Sequence, residues 1–280
     1  MTTRTKKLDL GPFGIALNVT ADRAYLDHAA EVEQLGYSTI WLPGGQIDRL
    51  DRIADLVGAT TKITVASGII PLDVYQADAV AQLYAATAPG RFVVGLGGPQ
   101  KAARPLRALH EYLDELDHAD PPVPVERRIL AALGPRKLEI ARDRFAGAVP
   151  MLVTPGYTRT ARQVLGADST LIVSLPVVLD TDATRARATA RGPLTFLSGV
   201  RGYADNFVRM GFTDAEVSGL GDRLVDALVA WGDAAAIAAR VDEHLDAGAD
   251  QVVLSAVNEG SQPGPIEVAR EFSALGGRGL

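Results

Sequence analysis

Three turns that contain glycine are the segments of this sequence best suited to chemistry. They are Ser67–Pro71 (SGIIP), Gly95–Gln100 (GLGGPQ) and Leu133–Lys137 (LGPRK), and each directly follows a run of residues typical of a strand. Glycine lets a backbone adopt unusual angles and approach a ligand closely. The three turns are therefore candidates for holding a flat ring or a phosphate, and ordinary tight turns are the competing interpretation.

The third turn leads into a predicted helix with Pro135 near its first position. Free amide groups and the positive end of the helix dipole at such a start attract anions by ~0.3–1 kcal/mol. Arg136 and Lys137 add positive charge. A phosphate site and a solvated basic helix start both fit this pattern.

Other reaction types find little support in the sequence. The turn at Gly95–Gln100 lacks the third glycine of a dinucleotide fingerprint. There is no cysteine, no G-x-S-x-G elbow and no H-E-x-x-H pair, so we expect neither nucleophiles of those kinds nor a metal. All four histidines are interpreted as solvated helix or loop residues: His28, His110, His118 and His244.

The bulk composition bounds the possible partners. The chain has 280 residues, 47% of them hydrophobic, and a net charge of −6. This acidic balance argues against a nucleic-acid surface, and no segment approaches the ~20 apolar residues that span a bilayer. We therefore expect a cytoplasmic protein whose partner is a small molecule, with no nucleic acid and no membrane.

Short β-rich runs alternate with helical patterns, which predicts a parallel sheet covered by helices. Eight runs are predicted as strands: Phe13–Val19, Ser38–Leu42, Ile63–Ser67, Arg91–Val94, Ile129–Leu133, Val149–Val153, Leu171–Leu179 and Gln251–Ala256. We predict an α/β fold, a (β/α)8 TIM barrel formed as a single domain over residues 1–280, with a helical insertion between the seventh and eighth strands at roughly 182–232. The helix after the insertion is predicted to be capped by Asp233 and to stop at Gly248.

Taken together, these segments resemble the luciferase-like monooxygenase superfamily, and in particular its F420-dependent oxidoreductase branch. The resemblance rests on five segments in the right order: Ala29–Pro43 (AAEVEQLGYSTIWLP), Ile63–Ile69 (ITVASGI), Pro89–Gly97 (PGRFVVGLG), Ala131–Pro155 (AALGPRKLEIARDRFAGAVPMLVTP) and Gly232–Leu254 (GDAAAIAARVDEHLDAGADQVVL). It covers nearly the whole chain. The resemblance implies coenzyme F420, a deazaflavin, as the cofactor, with FMN as the alternative.

The resemblance also implies which residues hold that cofactor. The bulge after the third strand, here Gly68-Ile69, is expected to contain a non-proline cis peptide that backs the ring. The phosphate tail is expected to contact the turn after the fourth strand and the helix start after the fifth strand, at Gly95, Gly97, Gly98, Gly134, Pro135 and Arg136. Members of the family are often dimers, so the resemblance implies a possible homodimer.

Three residues, at two places on the rim, depart from the family pattern. Relatives that oxidise sugar phosphates have an Asp-His pair at the end of the second strand and a glutamate after the fourth strand, where this chain has Gly44-Gly45 and Gln100. Gln100 is the one catalytic candidate, and its amide forms hydrogen bonds but does not exchange a proton near neutral pH. The resemblance therefore implies hydride transfer between F420 and a small organic substrate. An FMN-dependent monooxygenase and a non-catalytic cofactor-binding barrel are the alternatives.

Overall fold

Parallel strands of the computed structural model close into a barrel with helices on its outside. The structure describes residues 7–87, 90–99 and 101–275. The strands are β1 (Phe13–Ala16), β2 (Thr39–Pro43), β3 (Thr64–Gly68), β4 (Ile70–Pro71), β5 (Phe92–Gly97), β6 (Arg128–Ala131), β7 (Gly147–Ala148), β8 (Thr170–Leu179), β9 (Ala230–Gly232) and β10 (Gln251–Ala256).

Eight of these strands form the barrel, in the order β1, β2, β3, β5, β6, β7, β8, β10. The barrel closes because β10 pairs in parallel with both β8 and β1. The short strand β4 pairs with β5, and β9 pairs with the far end of β8. The predicted (β/α)8 fold class is thereby confirmed.

The helices are α1 (Ala24–Gln34), α2 (Asp51–Gly58), α3 (Ala77–Ala86), α4 (Pro105–His118), α5 (Pro135–Arg144), α6 (Pro155–Leu165), α7 (Ala183–Ser198), α8 (Arg201–Arg209), α9 (Asp214–Gly219), α10 (Asp222–Leu228), α11 (Ala234–Asp246) and α12 (Pro265–Ala274). Short 3-10 turns occupy Gly44–Gln46 and Val125–Arg127. Among the residues described, no helix is both long and apolar enough to cross a bilayer.

Alternation along the strands separates two apolar regions. In β5, Phe92, Val94 and Leu96 belong to the core between the strands and the outer helices, whereas Val93 belongs to a cluster inside the barrel. Both faces of a parallel strand in such a barrel are buried, so the strands read as nearly continuous apolar runs. This is why seven of the eight barrel strands, all except β7, stand out in the sequence.

Four helices, α7 to α10, lie between the last two strands of the barrel, β8 and β10. They bury a separate apolar cluster that includes Leu194, Phe207 and Leu224. Two barrel residues complete this cluster, Leu152 after β7 and Val178 near the end of β8. The four helices therefore rest on the C-terminal ends of β7 and β8.

Helix α11 begins and ends as the sequence predicts. The side chain of Asp233 accepts a hydrogen bond from the backbone N–H of Ala236 at 2.8 Å. The helix stops at Asp246, just before Gly248, whose φ is +104°. Only glycine adopts such a left-handed angle at no steric cost.

The strand prediction for Val149–Val153 is wrong. The sixth barrel strand is β7, only Gly147–Ala148, and Leu152 has a φ of +55°, which is incompatible with an extended strand. A Cβ on Gly147 would lie 1.8 Å from the carbonyl oxygen of Thr170, so β7 approaches β8 at a residue without a side chain. The apolar run that follows is buried as a loop, which a period-two reading does not distinguish from a strand.

The interpretation of His244 as a solvated residue is also wrong. His244 is fully buried where α11 packs against α6, and its Nδ1 lies 2.9 Å from Oγ1 of Thr158. Its Nε2 has no hydrogen-bond partner among the described residues. Burial, and secondarily the charge of Arg240, lowers the pKa of His244 to about 4. The helical pattern of the sequence did not predict this burial, because His244 directly follows the polar residues Asp242 and Glu243.

Candidate functional site

The three glycine turns predicted from the sequence lie side by side on the barrel rim. They follow β3, β5 and β6, which are consecutive neighbours in the sheet. Active sites of such barrels are built at the C-terminal ends of the strands. The structure thus brings the predicted segments together at the end of the barrel where ligands bind.

The peptide bond between Gly68 and Ile69 is cis, as the resemblance implied. The backbone of Ile69 lies against the end of β2, where a Cβ on Gly44 would be 2.2 Å from the Ile69 carbonyl oxygen. The Ile69 side chain covers β5, where a Cβ on Gly97 would be 2.1 Å from Cδ1 of Ile69. Gly44 and Gly97 are therefore glycines because the bulge at residues 68–69 occupies the space of their side chains.

Gly45 has the opposite environment. No atom lies within 4 Å of a Cβ built on it, and the residue is exposed. Of the two positions at which relatives carry an Asp-His pair, the first is sterically closed in this chain and the second is open.

Ser67 ties the bulge to β5. Its Oγ donates to the carbonyl oxygen of Gly95 at 3.0 Å and accepts from the Gly95 N–H at 2.8 Å. A Cβ on Gly95 would lie 1.8 Å from the Ser67 carbonyl oxygen. The backbone pairing of β3 with β5 ends at Ala66. Beyond that residue, the hydrogen bonds of the Ser67 side chain connect the two strands.

Trp41 fills the barrel directly beneath the bulge. Its Cε3 lies 3.3 Å from the position of a Cβ on Gly68, and the side chain is buried. At the opposite edge of the indole, Nε1 donates to Thr39 Oγ1 at 3.2 Å and to Gln251 Oε1 at 3.1 Å. The floor of the site is therefore a rigid aromatic side chain whose polar atom is satisfied lower in the barrel.

Positive charge gathers where the turn after β5 meets the start of α5. The Nζ of Lys137 lies 2.8 Å from the position of a Cβ on Gly98. Burial lowers the pKa of Lys137, and no described carboxylate forms an ion pair with it. Nη2 of Arg209, from α8, lies 3.9 Å from a Cβ position on Gly134. Arg136 is exposed, so it is Lys137 that extends toward the turn after β5.

The described rim also contains an amide pair that sequence reasoning missed. Oε1 of Gln46 accepts a hydrogen bond from the Val19 N–H at 2.5 Å, and its Nε2 donates to Oδ1 of Asn18 at 2.8 Å. These residues come from different rim loops, and the one signal that could have found Asn18 is the period-two alternation continuing from β1. The predicted catalytic candidate, Gln100, lies outside the described residues.

A cavity of about 620 Å³ lies apart from this rim, between the ends of β8 and β9 and the loop after β10. Its buried carboxylate, Asp180, pairs with Arg185 and accepts from Gln262 Nε2 at 2.8 Å. The polar groups of this cavity are therefore already hydrogen-bonded to one another, and they connect β8 to the loop after β10. Within the described ranges, no group of three or more His, Cys, Asp or Glu residues is placed to hold a metal ion.

Neither a family model nor a curated protein matches the sequence. Among solved structures, the chain is similar to an F420-dependent secondary alcohol dehydrogenase in complex with an F420–acetone adduct, with 13% identity, a TM-score of 0.73 and coverage of 95% of this chain and 98% of that chain. It is similar to the coenzyme F420-dependent tetrahydromethanopterin reductase from Methanopyrus kandleri, with 15% identity, a TM-score of 0.66 and coverage of 95% and 99%. The oxygenating constituent of 3,6-diketocamphane monooxygenase from Pseudomonas putida, in complex with FMN, has 14% identity, a TM-score of 0.62 and coverage of 95% and 99%.

These similarities establish the fold of the chain. It is the (β/α)8 barrel fold of that F420-dependent dehydrogenase, that F420-dependent reductase and that FMN-bound monooxygenase. Of these three neighbours, two are named for F420 and one is in complex with FMN.

Proposed function

We propose that this protein is an F420-dependent oxidoreductase that transfers hydride between the deazaflavin and a small organic substrate. One observation carries the proposal: cations without a described carboxylate partner converge beside a glycine-lined rim, at the start of α5. Lys137 and Arg209 are those cations, and Gly98 and Gly134 are the adjoining glycines. A phosphorylated ring compound fits both halves of this arrangement.

The ring half of the site fits a flat cofactor. The bulge at residues 68–69 presents its backbone and the Ile69 side chain at the rim, above Trp41. Gly97 and Gly98 leave the neighbouring strand end without side-chain bulk. We propose that the ring lies against this bulge, and that the residues predicted from the sequence form its contacts.

The tail half of the site favours F420 over FMN. The F420 tail is longer and more acidic than the single phosphate of FMN, and a chain with a net charge of −6 would otherwise repel it. An anion beside Lys137 would offset the desolvation of its ammonium group. Arg136 and Arg209 extend the positive charge outward, in the direction that a longer tail needs.

The bound deazaflavin would supply the hydride chemistry itself. The protein would bind the cofactor, orient the substrate and exclude water from the barrel mouth. Gly44-Gly45 provides no base at the end of β2, so a sugar alcohol would lack the proton acceptor that contributes typically 10²–10⁴-fold. We therefore propose an activated acceptor, such as an enone or a nitro compound, in place of a sugar phosphate.

The proposal is tested by titrating the protein with F420 and with FMN while fluorescence is followed. We expect tighter binding of F420, and we expect Lys137→Gln to weaken it by about tenfold, which is 1.4 kcal/mol. Lys62→Gln is the matched control, because Lys62 is an exposed lysine at the opposite end of the barrel. Tighter binding of FMN would favour the monooxygenase, and an equal loss in both variants would place the tail elsewhere.

Turnover is measured separately from binding. Protein saturated with reduced F420 is mixed with cyclohexenone or a nitroarene, and protein saturated with oxidised F420 is mixed with glucose 6-phosphate. We expect turnover with an activated acceptor and none with the sugar phosphate. Binding without turnover on a broad panel would instead identify a cofactor-binding barrel without activity.

A further inference from the structure

The chain stays extended past the end of β1, where the Leu17 N–H still donates to the Trp41 carbonyl oxygen at 3.0 Å, and it reaches a polar residue at the barrel mouth. Ile15 and Leu17 belong to the core between barrel and helices, whereas Ala16 belongs to the cluster inside the barrel. A Cβ on Gly14 would likewise meet Trp41 inside the barrel. Because side chains alternate along a strand, Asn18 is the next residue on the inner face, above the Trp41 layer.

The orientation of the Asn18 amide is determined by a chain of hydrogen bonds. The Val19 N–H can only donate, so the Gln46 atom 2.5 Å from it must be the oxygen. The other terminal atom of Gln46 is then the nitrogen, which can only donate to the Asn18 atom at 2.8 Å. That atom is therefore Oδ1, and the Nδ2 group of Asn18 is left as a donor.

Two hydroxyl groups lie on the inner face of the neighbouring strands β10 and β8, deeper in the barrel than Asn18. Ser174 and Ser255 alternate with the outward-facing Val173 and Leu254, and both serines are partly exposed. Neither hydroxyl hydrogen-bonds with another residue in the part of the chain that the structure describes. The amide donor at the mouth and the two hydroxyls below it are all uncharged.

We infer that Asn18 orients a neutral carbonyl substrate by donating from Nδ2 to its oxygen, and that Gln46 is the residue that positions Asn18. The inference rests on the proposed function, and it narrows the substrate class. An uncharged donor suits a carbonyl oxygen because it satisfies that oxygen without a counter-ion. A carboxylate or phosphate substrate would be desolvated beside groups that carry no charge.

The test inverts the amide without altering Asn18. In Gln46→Glu, one carboxylate oxygen still accepts from Val19 N–H, but the other cannot donate, so Asn18 turns Nδ2 toward residue 46 and presents Oδ1. The presented donor thereby becomes an acceptor. Gln163→Glu is the matched control, because it introduces the same charge at an exposed position of α6.

Two probes of similar shape read out the inversion. Dissociation constants for cyclohex-2-en-1-one, an acceptor, and phenol, a donor, are measured by NMR titration, with and without saturating F420. We expect Gln46→Glu to weaken binding of the ketone by at least fivefold and to strengthen binding of phenol, with both unchanged in Gln163→Glu. Asn18→Asp, which also removes the donor, should weaken the ketone similarly and keeps the test decisive if Gln46→Glu does not fold.

The outcomes separate this inference from the proposed function. Equal changes for ketone and phenol, or no change for either, would overturn the role of Asn18. Absence of F420 binding to the unaltered protein would overturn the proposed cofactor, while the ketone-to-phenol ratio without cofactor would still decide the role of Asn18. In the unaltered protein, the side-chain 15N–1H₂ resonances of Asn18 should shift on adding the ketone, and their constancy would count against the contact.

Discussion

Gly44 and Gly45 are adjacent residues with opposite surroundings, which makes them a matched pair. A Cβ on Gly44 would meet the Ile69 carbonyl oxygen at 2.2 Å, and one on Gly45 would meet nothing within 4 Å. We predict that Gly44→Ala lowers the free energy of unfolding by roughly 1–3 kcal/mol, as overpacking does. Gly45→Ala should change it by less than about 0.5 kcal/mol. Denaturant unfolding of both variants measures the difference, and equal stability would mean that the bulge moves aside freely.

His244 is the residue from which we expect a pH-dependent stability. Nδ1 of His244 shares a hydrogen bond with the Thr158 hydroxyl at 2.9 Å. The doubly protonated ring would carry a proton on Nε2, which is buried without a described acceptor. The fold therefore favours the neutral ring, consistent with a pKa of about 4.

The sign of this effect follows from the direction of the pKa shift. Because the folded-state pKa lies below the ordinary value of 6.5, the contribution of His244 is fully present above pH 6.5 and is lost as pH falls toward 4. At pH 5 the loss should be roughly 2 kcal/mol relative to pH 7.5. Denaturant unfolding of the protein and of His244→Asn at both pH values isolates this term. An identical pH dependence in the two proteins would rule out His244 as its source.

Residue types single out the glycines of the candidate site more readily than its polar groups. Gly68, Gly95 and Gly97 stand out in sequence because a turn after a strand rarely needs so many residues without a side chain. The roles of Asn18 and Gln46 depend on a contact between two loops, which no local pattern encodes. Folding creates that contact by placing the ends of β1 and β2 side by side.

Helix α8 is the element that we expect to respond to an anion at the rim. Its last residue, Arg209, reaches Gly134 at the start of α5, although α8 belongs to the helices between β8 and β10. An anion held by Lys137 and Arg209 would link α8 to the barrel. We predict that F420 slows amide hydrogen exchange in Arg201–Arg209, and that Arg209→Gln abolishes the slowing.

Helix α10 provides the internal control for that measurement. Its residues Leu224, Val225 and Leu228 are buried, and its protection should not depend on cofactor. Equal protection of α8 with and without F420 would remove the link. A change of similar size in α10 would indicate general stabilisation by ligand binding.

Elements with strong periodicity were predicted to within a few residues, and the failure at β7 has a physical cause. Strand β10 was predicted with its observed bounds, since its apolar run ends where the chain leaves the sheet. Strand β7 is two residues long and contains Gly147, so its pairing leaves almost no pattern in the sequence. The position of β7 is set by its pairing with β8 and not by the strand propensity of its own residues.

The whole chain is expected to unfold as one cooperative unit. Leu152 and Val178 join the cluster of α7 to α10 to the barrel, and Met210 packs against both apolar regions. The two tryptophans report on each part: Trp41 lies inside the barrel, and Trp231 lies on β9 with Nε1 donating to Asp226 at 2.8 Å.

This expectation has a direct test in two single-tryptophan proteins. In Trp231→Phe the fluorescence comes from Trp41, and in Trp41→Phe it comes from Trp231. We predict that the fluorescence midpoint coincides with the circular dichroism midpoint in each variant, although Trp41→Phe lowers both by creating space in the core. Separate midpoints within one variant would reveal two independently folding parts.

The position of Ile69 above Gly97 has a consequence for how such sequences diverge. The Cδ1 of Ile69 occupies the place where residue 97 would carry its first side-chain carbon, so the two positions share a single volume. A methyl group can enter at position 97 only if the far end of the Ile69 side chain turns away or is shortened. Across homologous chains these two positions should therefore covary, although they lie far apart in the sequence. In this chain, Ile69→Ala should restore the stability that Gly97→Ala removes.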